Sequence, residues 1–200
     1  VIFNSKHYSL DGFWVHQEKN CGKGFPRYWI RLQANSFQSH NVAFAAAGGA
    51  THLPWPAPRE SYIAGLRWND RFFQWRKQDG LLAGGCRAGF PLADYDAGER
   101  KWRLIAEHHC RGSRAGVAEY RIEVEGIAPP GDALDIDIPT DQGTVIGAQQ
   151  YLDGRLLIQL YQRLALTNGL LSSKRTPWQQ IAEFRSNHAA LEIGEIKDDR

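Results

Sequence analysis

A period of two, repeated between turn signals, constrains this chain more than any other feature of its sequence. Over residues 28–35, Trp29, Arg31, Gln33 and Asn35 fall on one face of an extended segment and Tyr28, Ile30, Leu32 and Ala34 on the other. The rhythm returns at 61–68, where Ile63, Gly65 and Arg67 oppose Tyr62, Ala64, Leu66 and Trp68, and the chain comes back across Asn69-Asp70 through 71–76. Over 115–126, Glu119, Arg121, Glu123 and Glu125 are expected outward as a solvated row with cross-strand pairs, and Val117, Tyr120, Ile122 and Val124 mostly inward. About ten such strands with turns every 8–12 residues and no βαβ rhythm predict an all-β, antiparallel barrel or sandwich with at most one or two short helices.

The remaining segments fill in that plan. Residues 1–10 read as a hairpin, and Asp11-Gly12 as a turn before a strand at 13–16. Residues 41–50 are small and apolar without a polar face, which suits a buried strand ending at Gly48-Gly49. Pro54, Pro56 and Pro58 make 51–59 a loop. Residues 94–98 read as a turn, 101–110 as a strand, 134–139 as a brief alternation and 156–166 as the last long strand. Trp178, Ile181, Ala182 and Phe184 have helical spacing and predict one short helix over 177–187, before a terminal strand at 189–193 and a tail at 197–200.

Composition enters mainly by exclusion. Two hundred residues, 42% hydrophobic and 23% charged, suffice for one domain spanning 1–200 with a full core. A net charge of +2 without a Lys/Arg run argues against a phosphate backbone as partner, so no nucleic acid is expected. No apolar run of ~18 residues is present to span a bilayer, and no signal-peptide pattern opens the chain. Cys21, Cys86 and Cys110 are an odd set without CxxC spacing, which fits reduced thiols in a cytoplasmic or plastid-like compartment. HExxH and GxSxG are missing. His108, His109 and Cys110 are adjacent on a strand and so alternate in direction, so no metal and no cofactor are expected. The glycines of 80–100 match no phosphate-cradling motif, and the acidic residues of 134–139 lack an EF-type completion.

The polar face of 28–35 is the informative one. An indole, a guanidinium and two amides in one row suit a half-polar cavity, against the alternative of an edge strand with a solvated face. Seven Trp, seven Tyr and nine Phe favour a cavity for a large lipophilic ligand, against the alternative of simple core filling.

The order Glu18-Lys19-Asn20, Gly22, Phe25-Pro26-Arg27, Trp29, Gln33, Asn35 and Phe37 resembles the tocopherol cyclase family of the lipocalin-like group that also holds carotenoid hydratases and related cyclases. Ala43-Phe44-Ala45-Ala46-Ala47-Gly48-Gly49, the stretch from Glu60 to Asp70, and the segments 102–107, 119–125, 154–161 and 189–194 follow in the family's order. Residues 80–100 are the least similar and read as an insertion. Two departures stand out: Cys21 occupies the place of a family Trp, and Gln149-Gln150-Tyr151 stands where the family reads Arg-Asp-Ser.

The resemblance implies a single lipocalin-like domain matching the family's second half, a first such half preceding it there. It implies an isomerase of the vitamin E type, a cofactor-free intramolecular cyclase. Such an enzyme protonates the prenyl alkene of a quinol so that the phenol oxygen closes on the tertiary cation. That chemistry needs a buried acid, aromatic faces for the cation and polar groups for the head. On matched positions the acid candidates are Glu18 and Glu107, with Glu107 expected to pair with Arg103 and Glu18 therefore the better acid. Trp29 and Trp75 would face the cation, and Lys19, Asn20, Arg31, Gln33, Asn35, Gln149 and Gln150 would hold the substrate. The implied partner is a hydrophobic small molecule, gathered by peripheral membrane contact where it is membrane-borne. Two alternatives stay open: a lipid-binding protein without turnover that takes an isoprenoid ligand, and a hydratase or cyclase acting on another terpenoid or a polyketide.

Overall fold

The computed structural model describes residues 2–3, 6–7, 9, 26–39, 41–51, 59–76, 86–88, 92–110, 118–131, 133–140, 143–164 and 176–195. The expected strand at 13–16 lies outside them, as do residues 52–58 of the proline loop expected over 51–59, whose ends Thr51 and Arg59 belong to strands. Every regular element among the described residues is a strand. β1 (Ile2–Phe3) and β2 (Lys6–His7) form a two-stranded sheet. β3 (Tyr28–Ala34), β4 (Val42–Thr51), β5 (Arg59–Trp68), β6 (Arg71–Arg76), β7 (Cys86–Ala88), β8 (Leu92–Asp96), β9 (Lys101–Cys110), β10 (Ala118–Ile127), β11 (Leu134–Thr140), β12 (Gly143–Leu164) and β13 (Gln179–Glu195) form an 11-stranded one. Its order is β6-β5-β4-β3-β13-β12-β10-β9-β7, with β11 beside β12 and β8 beside β9, and each pairing is antiparallel.

The sheet curls on itself as a half-barrel. β6, at one end of the strand order, meets β10 through side chains. Arg71 Nη2 donates to the Tyr120 hydroxyl at 2.8 Å, Trp75 Nε1 donates to the Tyr120 carbonyl at 3.4 Å, and the Phe73 and Tyr120 rings meet edge to face at 5.0 Å. Inside the curl Ile30, Leu32, Phe44, Leu66, Trp75, Trp102, Leu104, Ile122, Ile158, Leu160 and Leu191 are essentially dry and form one core. The turns are set by local chemistry. Asn69 takes a left-handed conformation (φ 53°), which Asn tolerates, and its N–H donates to the Asn41 carbonyl at 2.9 Å. Asp96 ends β8 by accepting from the backbone of Gly98 (2.8 Å) and Glu99 (3.1 Å), so the turn lies at 97–100 and not at 94–98.

The expected helix over 177–187 is a strand. β13 runs straight through it, and the reason is two bulges. Leu160 pairs with Ala182 and Tyr161 with Gln180, which leaves Ile181 as an extra residue; a second shift falls between the pairs Leu156–Ser186 and Gly154–Ala189. The first bulge puts the neighbours Ile181 and Ala182 both against the core and so imitates helical spacing, while the second resets the register at the exposed pair Asn187 and His188. The strand expected at 156–166 begins at Gly143 and runs 22 residues, pairing with β11 along its first part and with β10 along its second.

Glu119 was expected in the outward charged row. It is fully buried and held by Arg163 Nε at 2.8 Å, with the Arg163 guanidinium 4.0 Å over the Trp178 ring. The rest of the row faces outward and pairs across strands as expected but is half-buried: Arg121 bridges Glu107 and Glu123, and Lys101 meets Glu125 at 2.8 Å.

Candidate functional site

The two faces of β3 lead separate lives. Ile30, Leu32 and Ala34 enter the core, whereas Trp29 joins a second cluster on the opposite face with Ile138 of β11 and Ala148 of β12. The indole fits there because both of its ladder partners are glycines, Gly49 on β4 and Gly194 on β13. A β-carbon on Gly194 would collide with the indole ring, and one on Gly49 would overlap the backbone of Tyr28 and Trp29.

Beside the indole lies a polar cluster centred on Glu192. Trp29 Nε1 donates to Glu192 Oε1 at 2.7 Å, Gln150 Nε2 donates to Oε2 at 3.4 Å, and Arg31 Nη1 stands 3.9 Å from the same oxygen. Arg31 Nη2 donates to Gln33 Oε1 at 2.9 Å. Residue 192 is also gripped from the core side, where Trp102 Nε1 donates to its backbone carbonyl at 3.1 Å. Two tryptophans, one on each face of the sheet, thus fix the carboxylate in place. Gln33 and Glu192 are each 9% exposed, so this group is largely withdrawn from water while retaining donors and an anionic acceptor. Such a cluster can hold a hydroxyl-bearing head group and accept a proton from it.

The placement of the candidate residues follows from register. Gln150, Glu192 and Arg31 are successive cross-strand partners on β12, β13 and β3, so the ladder brings Trp29, Arg31 and Gln33 of β3 and Gln150 of β12 together around Glu192. Asn35 lies just past β3, half-buried. Gln149 faces the other side of β12 and is exposed. Trp75 is in the core, stacked on Phe73 at 6.2 Å and away from the cluster. Glu107 pairs across the ladder with Arg121 at 2.9 Å, where Arg103 was the expected partner. Glu18, Lys19 and Asn20 lie outside the described residues. Sequence reasoning did not single out Glu192. The available signal was one carboxylate inside the otherwise apolar run Ala189-Ala190-Leu191-Glu192-Ile193.

No helix among the described residues is long and apolar enough to cross a membrane. Comparison with known proteins adds the lineage. The family model for tocopherol cyclase-like proteins matches residues 1–195. The chain is 27% identical over 199 residues to a protein of Oryza sativa subsp. japonica named probable tocopherol cyclase, chloroplastic, covering 97% of this chain and 36% of that protein. It is 25% identical over 200 residues to the tocopherol cyclase, chloroplastic, of Zea mays, with the same coverage. It therefore spans about a third of the length of these relatives, in their C-terminal part. No solved structure matches significantly. The chain belongs to the tocopherol cyclase-like family.

Proposed function

We propose that the chain forms the head-group site of a cofactor-independent cyclase acting on a prenylated quinol or a similar isoprenoid phenol. The observation that carries this reading is the largely buried group Trp29, Arg31, Gln33, Gln150 and Glu192 in a chain of this family. The net reaction is an isomerisation. A proton adds to the prenyl alkene, the phenol oxygen bonds to the tertiary cation, and the phenolic proton is released. Glu192, with Arg31 and Gln150 beside it, is assigned to accept that phenolic hydrogen bond and then the proton, and Arg31 and Gln33 to hold the second hydroxyl. The Trp29 indole, fixed by its bond to Glu192, is assigned to stabilise the developing cation. Glu18 is retained as the proton donor on the strength of the resemblance, whereas Glu107 is assigned to its ion pair with Arg121.

Incubation of the protein with a prenylated quinol tests this by chromanol formation. The expected result is turnover that falls at least tenfold in Glu192→Gln and survives in Glu107→Gln. Equal turnover in wild type and Glu192→Gln refutes the assignment. A second reading, an isoprenoid binder without turnover, is favoured by Gln150 occupying the place of a family Asp beside Glu192; saturable quinol binding with no chromanol in any variant selects it.

A further inference from the structure

The outer faces of the two halves of the sheet differ in kind. On β9, β10, β12 and the first part of β13 the outer face is laced with charge: Glu107, Arg121 and Glu123, Lys101 with Glu125, and Glu183 with Arg185 at 2.7 Å and Gln159 at 3.2 Å. On β3 to β6 the middle of the same side is small and apolar, and polar side chains stand only at its borders, with Arg67 paired to Phe72 and turned to the Asn69 carbonyl, and Gln74 paired to Gly65. The ladder that joins Glu192 to Arg31 continues to Ala47 and Ile63, and the next joins Gln33 to Ala45, Gly65 and Gln74. Ala45 is exposed, Ile63 is 45% exposed and Phe72 67%. The Phe72 ring leans over Gly65, where a β-carbon would meet it at 3.2 Å. Ala45, Ala47 and Gly65 therefore floor a shallow strip that starts at the polar cluster and ends against Ile63 and Phe72.

Resting on the head-group reading above, we infer that this strip is the track for the apolar tail of the same ligand, which lies across β4 and β5 with its far end against Phe72. Size decides the occupant. Three strand spacings across and four residues along give roughly 14 Å by 14 Å, on the order of 200 Å². A stable protein partner needs about 800 Å² per side, so the strip is too small for one yet suits an isoprenoid chain. Continuity sets the chemistry. A ligand whose hydroxyls meet Arg31 and Gln33 can leave in this direction only over Ala45 and Ala47, where no polar side chain interrupts it. Leu134 and Leu152, both 54% exposed, flank the cluster on its other side, but among the described strands β11 pairs only with β12, so the sheet ends one strand beyond Gln150 and offers no comparable length.

The test compares two quinols of identical head, one with a single prenyl unit and one with several, by calorimetric titration. Wild type is expected to bind the long quinol at least tenfold tighter than the short one. Ala45→Phe, which blocks the floor, and Phe72→Ser, which removes the far wall, are each expected to bring that ratio near one; both positions are exposed, and circular dichroism verifies folding. An unchanged ratio in both variants overturns the track. Equal affinities in wild type overturn the track alone and leave the head-group site standing, whereas binding of neither quinol overturns both.

Discussion

Gly194 faces Trp29 across the β13–β3 ladder, and the indole occupies the space that a side chain at residue 194 would need. The pairing does two things at once. It removes the steric obstacle to a flat indole, and it brings Nε1 to within 2.7 Å of Glu192, two residues away on the strand of the same glycine. Gly194→Ala is therefore expected to push the ring outward, lengthen that hydrogen bond and cost roughly 1–3 kcal/mol of overpacking. Urea unfolding measures the cost. Trp29→Ala in the same background should recover part of it, since the obstructed ring is gone; two additive losses would show that the glycine is needed for its own backbone and not for the indole.

Two Arg–Glu pairs on neighbouring strands predict very different energetics. Glu119 is fully buried against Arg163, whereas Glu107 and Arg121 keep about a quarter of their side chains exposed. Arg163→Met removes the guanidinium 2.8 Å from a fully buried carboxylate and is expected to cost roughly 3–5 kcal/mol. Glu107→Gln is expected to cost under about 1 kcal/mol, since water screens the pair. Denaturant midpoints check both, and similar losses would mean that the burial of Glu119 is not what sets its cost.

How far the sequence discloses this molecule depends on whether local alternation survives. β3 and the β5–β6 hairpin around Asn69-Asp70 keep a period of two and were readable from it, β4 was readable from its small apolar residues without a polar face, and together they gave the antiparallel, all-strand class. β13 was not, because the extra residue Ile181 and the second shift before Ala189 break the period where the chain must bend. Glu119 shows a different limit. Its alternation with Arg121 and Glu123 says which face it is on, but not that the face is covered there. The polar row of β3 was visible, but its partners Gln150 and Glu192 come from strands more than a hundred residues away, and only register reveals that they share a rung.

Alkaline pH should weaken the fold through two tyrosines. Burial, with Tyr151 adding to it and Arg100 opposing, pushes the Tyr95 hydroxyl above its ordinary value of 10.0. Burial and then Glu123 do the same to Tyr161, with Arg121 opposing. A raised pKa here favours the neutral form in the folded state, so above pH 10 the unfolded chain loses its protons first and stability falls with rising pH. Below pH 10 the contribution is fully present. Tyr95→Phe is expected to flatten the decline in urea midpoint between pH 9.5 and 11 without abolishing it, because Tyr161 remains. A decline as steep as in wild type would show that Tyr95 ionises as freely folded as unfolded.

Gln150 lies on the same rung as Glu192, its Nε2 3.4 Å from Oε2, at the position where the family resemblance places an Asp. Gln150→Asp would set two carboxyls on neighbouring strands with β-carbons about 5 Å apart. Like charges so placed in a largely buried site cannot both ionise freely, so one of the pair holds its proton to higher pH and becomes a general acid, a role worth on the order of 10²–10⁴ in rate. Arg31 works against this by favouring the charged forms, so the gain should sit towards the lower end. The expected outcome is a rise of tenfold or more in chromanol formation, with a pH profile that falls on the alkaline side as the shared proton is lost. Adding Glu192→Gln should erase both the rise and the alkaline limb. If Gln150→Asp leaves rate and profile as in wild type, a carboxyl at residue 150 does not deliver a proton to the alkene and Glu18 remains the donor in both proteins, so that Glu18→Gln should silence each.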